Sequence, residues 1–319
     1  MHVRRSLAAA LAAGTLLLAT GCAGSDLSDA SDDNSPSTDT SAAADQGPVR
    51  ISGQSFPEAA LVAAMYDELL TKAGYQTDVK LVDTRDAYMA TFPKSIDVVP
   101  EYVGGIVNFL NSSENGAKAK PFTAGDGAEL ASQGADLLSG AGITLLEQSA
   151  ATDTNAFFVT KDYSESEGVT KLSDLKGKSV VLAAAPDCEG RLDCEGGLSD
   201  EYGIDITKVL PLGYASDQTY KSVINGEAQL GETSTTDGTL ESQGLVVLED
   251  DLQIQPAQNL VPAVSSAFLE AHPDVADVLN KLMAALTTEE LTTLNGEVAV
   301  DRKTPEDVAH GFLEDAGLL

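Results

Sequence analysis

Basic residues are scarce in this chain. Lys and Arg number 19 against 50 Asp and Glu, which leaves a formal net charge of -31. So acidic a surface excludes nucleic acid as a partner, because phosphate binding is supplied by Lys and Arg. Histidine is scarcer still, with only His2, His272 and His310. The last two stand beside Pro273 and Gly311, in no nucleophile context such as G-x-S-x-G. The P-loop, the dinucleotide glycine fingerprint and H-E-x-x-H are all missing. Carboxylates are too abundant for any pair to mark catalysis. No catalytic residue, metal ligand or cofactor is therefore expected, and the chain does not read as an enzyme. Long apolar runs are also lacking. After the first twenty residues nothing reaches the roughly 20 apolar residues of a membrane-spanning helix.

What is present begins at the N-terminus. His2, Arg4 and Arg5 precede an apolar run from Leu7 to Ala19, and Thr20-Gly21-Cys22 follow. A charged start, a short apolar core and a small-residue cleavage site read as a secretory signal over residues 1–21. A cysteine directly after it points to a lipoprotein signal, with Cys22 as the lipidated first residue of the mature chain. Ala19 stands where such signals usually carry Leu, and a plain secretory signal with an incidental cysteine is the alternative. Residues 22–47 are mostly Ser, Asp, Thr and Ala, with the single large aliphatic Leu27. Such a stretch cannot bury enough surface to offset the entropy of ordering it. It is expected to be a disordered tether reaching roughly 25–30 Å. The expected location is extracytoplasmic, anchored to the cell membrane through Cys22.

Two cysteines remain, Cys188 and Cys194, in C-E-G-R-L-D-C. In an exported protein two nearby cysteines usually pair as a disulfide. The alternative, a metal site, has no histidine close in sequence and no common zinc spacing.

The remaining 270 or so residues alternate strand and helix patterns. Val49–Gly53 reads as a strand, and Ser55-Phe56-Pro57-Glu58 as a capping box with Pro in the first turn. Leu61, Val62, Met65, Leu69 and Leu70 then give a helical stripe, closed by Lys72 and Gly74. Val79–Val82 and Ile96–Val99 read as further strands. Later strands are read at Ala156–Thr160, Ser179–Ala184, Lys208–Leu212, Gln229–Thr233 and Leu245–Leu248. Leu172–Leu175 reads as a short helical turn, and Ser216 as the cap of a helix to Ile224. After Leu260–Val264 the chain turns helical, over Pro273–Leu286, Thr288–Leu294 and Pro305–Leu313. This alternation predicts an α/β fold with largely parallel sheets. It also predicts two lobes, the first completed by the C-terminus, with a small molecule in the cleft between them.

Several motifs fall in the order of one family. I-S-G-Q-S-F-P-E at 51–58 and I-D-V-V-P-E-Y-V-G-G at 96–105 come first. N-A-F-F-V-T-K at 155–161, L-S-D-L-K at 172–176, S-T-T-D-G at 234–238 and L-V-V-L-E-D-D at 245–251 follow. The set resembles the substrate-binding proteins of ABC importers for glycine betaine, choline, carnitine and related osmoprotectants, over Val49 to Leu319. The resemblance implies a type II periplasmic-binding-protein fold, two lobes with a ligand cleft and two hinge strands. Lobe 1 would comprise 48–154 plus 256–319, and lobe 2 155–255. It implies a monomer that captures a small solute by closing and delivers it to a permease and its ATPase.

In that family a box of tyrosines holds a trimethylammonium group by cation–π attraction. Tyr102 in P-E-Y matches one box position. Asn155, Ser234 and Ala257 stand where other tyrosines are expected, Gln54 where a Lys helps hold a carboxylate, and Gly105 where Thr is usual. Arg191 matches the ligand-facing Arg. The ligand-binding set implied is Gln54, Phe56, Tyr102, Asp153, Asn155, Arg191, Ser234, Thr235 and Thr236. It is polar and hydroxyl-rich, suited to a hydrogen-bonding ligand. Tyr102 could instead be hinge packing, and Arg191 could pair with Asp187 or Asp193. Tyr214 and Tyr220 are candidate substitute walls, and Asp237-Gly238 reads as a turn.

Overall fold

The structure, a computed structural model, describes residues 45–116 and 118–319. The signal at 1–21, Cys22 and most of the tether lie outside those residues. The described chain first forms β1 (Gly47–Gln54), α1 (Pro57–Lys72), β2 (Tyr75–Val82), α2 (Arg85–Met89) and β3 (Val98–Tyr102). Three helices follow, α3 (Val103–Asn115), α4 (Gly127–Gln133) and α5 (Ala135–Ala141), then β4 (Ile143–Leu145). A crossing leads to β5 (Asn155–Thr160), α6 (Lys161–Glu167), β6 (Ser179–Ala184), α7 (Glu195–Asp200) and β7 (Asp205–Pro211). Next come α8 (Asp217–Ile224), β8 (Leu230–Ser234) and β9 (Leu245–Leu248). The chain then returns as β10 (Leu260–Ser265) and ends in α9 (Ser266–Ala271), α10 (Asp274–Ala285), α11 (Thr288–Ala299) and α12 (Pro305–Asp315).

These strands make two five-stranded sheets, β2-β1-β3-β10-β4 and β7-β6-β8-β5-β9. Each is mixed rather than largely parallel. β1 pairs in parallel with β2 and β3, while β10 runs antiparallel to β3 and β4. In the second sheet β6 is parallel to β7 and β8, while β5 is antiparallel to β8 and β9. Connectivity explains the reversal. β5 and β10 are the first strands after each crossing, so they enter their sheets from the hinge side, where β8 and β3 end. Leu260 thus faces Tyr102, and Asn155 faces Ser234. The two crossing segments lie side by side, with Leu260 N–H donating to the Ala151 carbonyl at 3.0 Å and Asp153 N–H to that of Gln258 at 3.1 Å.

Side chains alternate between the faces of each strand, so each sheet carries an apolar cluster on both sides. Phe157 and Val159 pack with Leu172, Leu182 and Leu230, whereas Phe158 packs with Tyr220, Val223 and Leu245 on the opposite face. In the first sheet Val98, Leu260 and Val264 face α1, α10 and α11, and Val99, Val261 and Ala263 face α3 and α5. α1 buries Leu61, Val62, Met65, Leu69 and Leu70, each stabilising by roughly 1.5–3 kcal/mol.

The expected capping box at α1 does not form. Phe56 is the N-cap, with no side-chain bond to the first turn, although Pro57 does open the helix. The Ser55 hydroxyl donates instead to Asp83 at 3.3 Å. Glu58 turns inward and is only 5% exposed. A carboxylate sent into the protein interior needs partners there, and its partners lead to the site.

Candidate ligand-binding site

Glu58, in the first turn of α1, accepts hydrogen bonds from the Tyr102 hydroxyl at the end of β3 and from Asn295 Nδ2 on α11. Burial raises its pKa above the ordinary carboxylate value, and the hydrogen bonds from Tyr102, Thr236 and Asn295 only partly offset this. Tyr102 is 8% exposed, and its ring stacks on Phe56 with centroids 6.3 Å apart. Tyr102 is thus held by packing and by Glu58, with one ring face covered.

Asp153 lies on the first crossing segment. Burial first, and the neighbouring charge of Glu58 second, push its carboxyl up to about 7. The hydroxyls of Ser234 and Thr236 lie beside it and oppose that rise. Its Oδ1 is closed to solvent and meets no donor, and Asn295 Oδ1 is in the same condition. Thr236 belongs to the second sheet's side of the molecule, where it is 2% exposed, and its carbonyl accepts from Asn295 Nδ2 at 3.0 Å. Tyr214, in the loop between β7 and α8, is 43% exposed. Its pKa is raised by burial of the hydroxyl and by the charges of Asp153 and Glu232, against a hydrogen bond with Ser234. Phe56, Glu58, Tyr102 and Asp153 from one half therefore meet Ser234, Thr236 and Tyr214 from the other.

The remaining predicted residues form a second group. Asn155 opens β5 and donates to Asp193 Oδ2 at 3.3 Å. Asp193 takes Arg191 in a two-point grip, at 2.9 Å from Nε and 2.7 Å from Nη2. Arg191 also reaches Asp187 at 3.3 Å, so it pairs with both of its acidic neighbours. Two charge-assisted partners fix the guanidinium. The loop is held by a Cys188–Cys194 disulfide and by Gln255, which donates to the Asp193 carbonyl at 2.8 Å. Arg191 and Asp193 border a cavity of about 620 Å³ shared with Phe122, Leu192, Leu252 and Ile254. Glu232 lies close to the two sulfurs, but these are bonded to each other and offer no thiolate to a metal. Its carboxylate is fully buried, accepts from Ala185 N–H at 2.7 Å, and titrates above its ordinary value because of burial.

Two predicted residues stand apart. The Thr235 hydroxyl donates to the Thr152 carbonyl at 2.6 Å and accepts from Thr154 N–H at 3.1 Å, which pins the first crossing rather than facing the others. Gln54 ends β1 beside Val82. Tyr220 is buried on the far face of the second sheet, where its hydroxyl donates to Asp237 at 2.6 Å, so it is no cage wall. The space a threonine would need at position 105 is taken by Arg85, whose Nη2 lies 2.5 Å from where a Cβ would stand. Arg85 in turn holds Glu101 at 2.8 and 3.0 Å. Sequence reading missed Glu58, Asn295 and Glu232, while Asp193 was foreseen as a partner of Arg191. Of those missed only Glu58 carried a signal, a carboxylate in F-P-E, and it looked like a helix cap.

Two mixed sheets joined by paired crossings, with polar side chains of both halves gathered where their strands end, define a two-lobed binding architecture of the type II periplasmic class. Residues 47–315 match the family of the substrate binding domain of ABC-type glycine betaine transport systems, and the chain belongs to that family. It is 27% identical over 283 residues to a glycine-betaine-binding protein of Pseudomonas aeruginosa, covering 85% of this chain and 88% of that one. It is also 27% identical over 286 residues to the glycine betaine-binding protein YehZ of Escherichia coli, covering 85% and 91%. Its fold is similar to a crystal structure of a glycine betaine/carnitine/choline ABC transporter, with a TM-score of 0.72 and 23% identity over 85% of this chain and 98% of that one. Apo YehZ of Escherichia coli gives 0.70 and 24%, over 85% and 99%. These structural likenesses speak for the fold.

Proposed function

We propose that this chain is the solute receptor of an ABC importer, held outside the membrane by lipid on Cys22, and that it delivers a small osmolyte-like solute to a permease and its ATPase. Lobe 1 is read as 48–154 plus 256–319 and lobe 2 as 155–255, with the crossings as hinges. The observation that carries this reading is the meeting of Glu58, Tyr102 and Asp153 from one lobe with Ser234, Thr236 and Tyr214 from the other, beside those crossings. A solute bound there contacts both lobes and so stabilises the closed arrangement over the open one.

The same residues favour a solute different from the betaines of its relatives. A cage needs several open aromatic faces, and here Tyr102 is buried against Phe56, Phe56 is itself half-buried, and Tyr214 is exposed. Arg191, the family's cation for a solute carboxylate, is already held by Asp187 and Asp193. The ligand set therefore centres on Asp153, Ser234, Thr236 and Tyr214, with Phe56, Tyr102, Asn155 and Arg191 around it.

The test is calorimetric titration of the purified chain against glycine betaine, choline, carnitine and a panel of amines, with melting curves in parallel. At least one small solute is expected to bind at a one-to-one ratio and raise the melting temperature. A uniform lack of response across the panel would argue against a transport receptor and for a sensor lipoprotein of the same fold.

A further inference from the structure

The junction between the lobes holds two carboxylates with no counter-cation, the buried Glu58 and the half-buried Asp153. Among the described residues neither Glu58 nor Asp153 takes part in an ion pair, and the nearby Arg85 and Arg191 are matched to Glu101, Asp187 and Asp193. Charges removed from water are ordinarily paired. Beyond charge, two acceptor atoms there, Asp153 Oδ1 and Asn295 Oδ1, are closed to solvent without a donor. Buried acceptors without donors are rare in folded proteins. Both defects have the same remedy, a positively charged group that carries hydrogen-bond donors. A quaternary ammonium supplies the charge but no N–H. Ser234 and Thr236 sit over this place from the opposite lobe, so parting the lobes uncovers it.

We infer that the solute is a cation bearing N–H donors, an aliphatic ammonium or a guanidinium, and that Asp153 is the group that receives it. This rests on the junction being the ligand site, as proposed above. The groups facing Asp153 are Glu58 on α1, Tyr102 on β3, Tyr214 before α8 and Asp237 after β8, all acidic or phenolic. None supplies positive charge, so in the empty protein a proton does. The cation binds as that proton leaves Asp153 for solvent, and the carboxylate and the ligand's N–H groups then satisfy each other.

The experiment is isothermal titration of the whole chain with agmatine, putrescine, choline and glycine betaine at pH 6 and pH 8. Each titration is run in two buffers that differ in ionisation enthalpy. Agmatine or putrescine is expected to bind at least tenfold more tightly than choline or glycine betaine. Its affinity should rise about tenfold from pH 6 to pH 8, with close to one proton released at the lower pH. Asp153→Asn, confirmed folded by its melting curve, should lose at least tenfold in affinity. Tighter binding of choline or glycine betaine would overturn this inference and leave the receptor reading standing. So would proton release near zero in the unaltered protein, whatever the variant does. Silence from all four probes overturns the inference, and the receptor reading falls with it only if the wider panel is silent too.

Discussion

Asp153, proposed above to receive the ligand, should also govern the stability of the folded chain. Its pKa in the folded protein, about 7, stands above the ordinary 3.8 because burial and Glu58 disfavour its charge. The folded state therefore binds the proton more tightly than the unfolded chain does. Stability from this group is complete below about pH 4 and is lost as pH rises through 7. A tenfold difference in proton affinity between the two states corresponds to about 1.4 kcal/mol. Relaxation of the paired site reduces the total, so a loss on the order of 1–3 kcal/mol between pH 4 and pH 8 is expected. Asp153→Asn removes the titration and keeps the shape. Denaturation of the variant should be less dependent on pH over this range, and at pH 8 the variant should be the more stable protein. A variant that loses stability equally at both pH values would show that the carboxyl is held by the fold and not opposed by it.

At the scale of elements, the lobes touch where the turn after β8 seats against α11. A Cβ on Gly238 would stand 2.2 Å from the Gly296 nitrogen and 2.4 Å from the Thr292 carbonyl oxygen. Both are backbone atoms and cannot swing aside. Gly238→Ala should therefore cost about 1–3 kcal/mol in urea denaturation or hold the lobes apart. Gly140→Ala, inside α5 with open space around it, should be neutral or stabilise by up to about 1 kcal/mol. This contact was hidden in the sequence, because D-G reads equally well as a free turn. The elements that were legible have strong local signals: the α1 stripe, the Ser216 cap bonded to Thr219 N–H, and the apolar runs of β6 and β10. Of the helices from Val103 to Ala141, α3 does carry a stripe, Val103, Ile106, Val107 and Leu110, which went unread behind Gly104 and Gly105. α4 and α5 are seven residues each, so packing rather than a long periodic pattern defines them. The mixed sheets escaped for a related reason, since strand direction is set by the crossings and leaves no mark in the strand itself. Within the site, the hydroxyl and amide positions came from a family pattern. Glu58 and Asn295 act through contacts spanning 237 residues, which no local spacing could announce.

For the whole molecule, these two scales combine in the balance between open and closed lobes. Closure brings Thr236 and Ser234 from one lobe over Glu58 and Asp153 from the other, and water is removed from both carboxylates at once. Two negative charges confined together repel strongly in a poorly solvated site. The empty receptor should close readily only when a proton neutralises the pair, and a bound cation should replace that proton. A ligand can shift the balance only by its preference for the closed state. On the inference drawn above, that preference is the charge it brings between the two carboxylates. Small-angle X-ray scattering on the ligand-free chain should therefore give a smaller radius of gyration at pH 5 than at pH 8. Adding a binding solute at pH 8 should return the value toward that at pH 5. Asp153→Asn should scatter alike at both pH values, since its amide carries no charge to expel. A radius of gyration in the unaltered protein that ignores pH would mean that closure is set by the hinges and by the Gly238 contact alone, and that the acidic pair has no part in it.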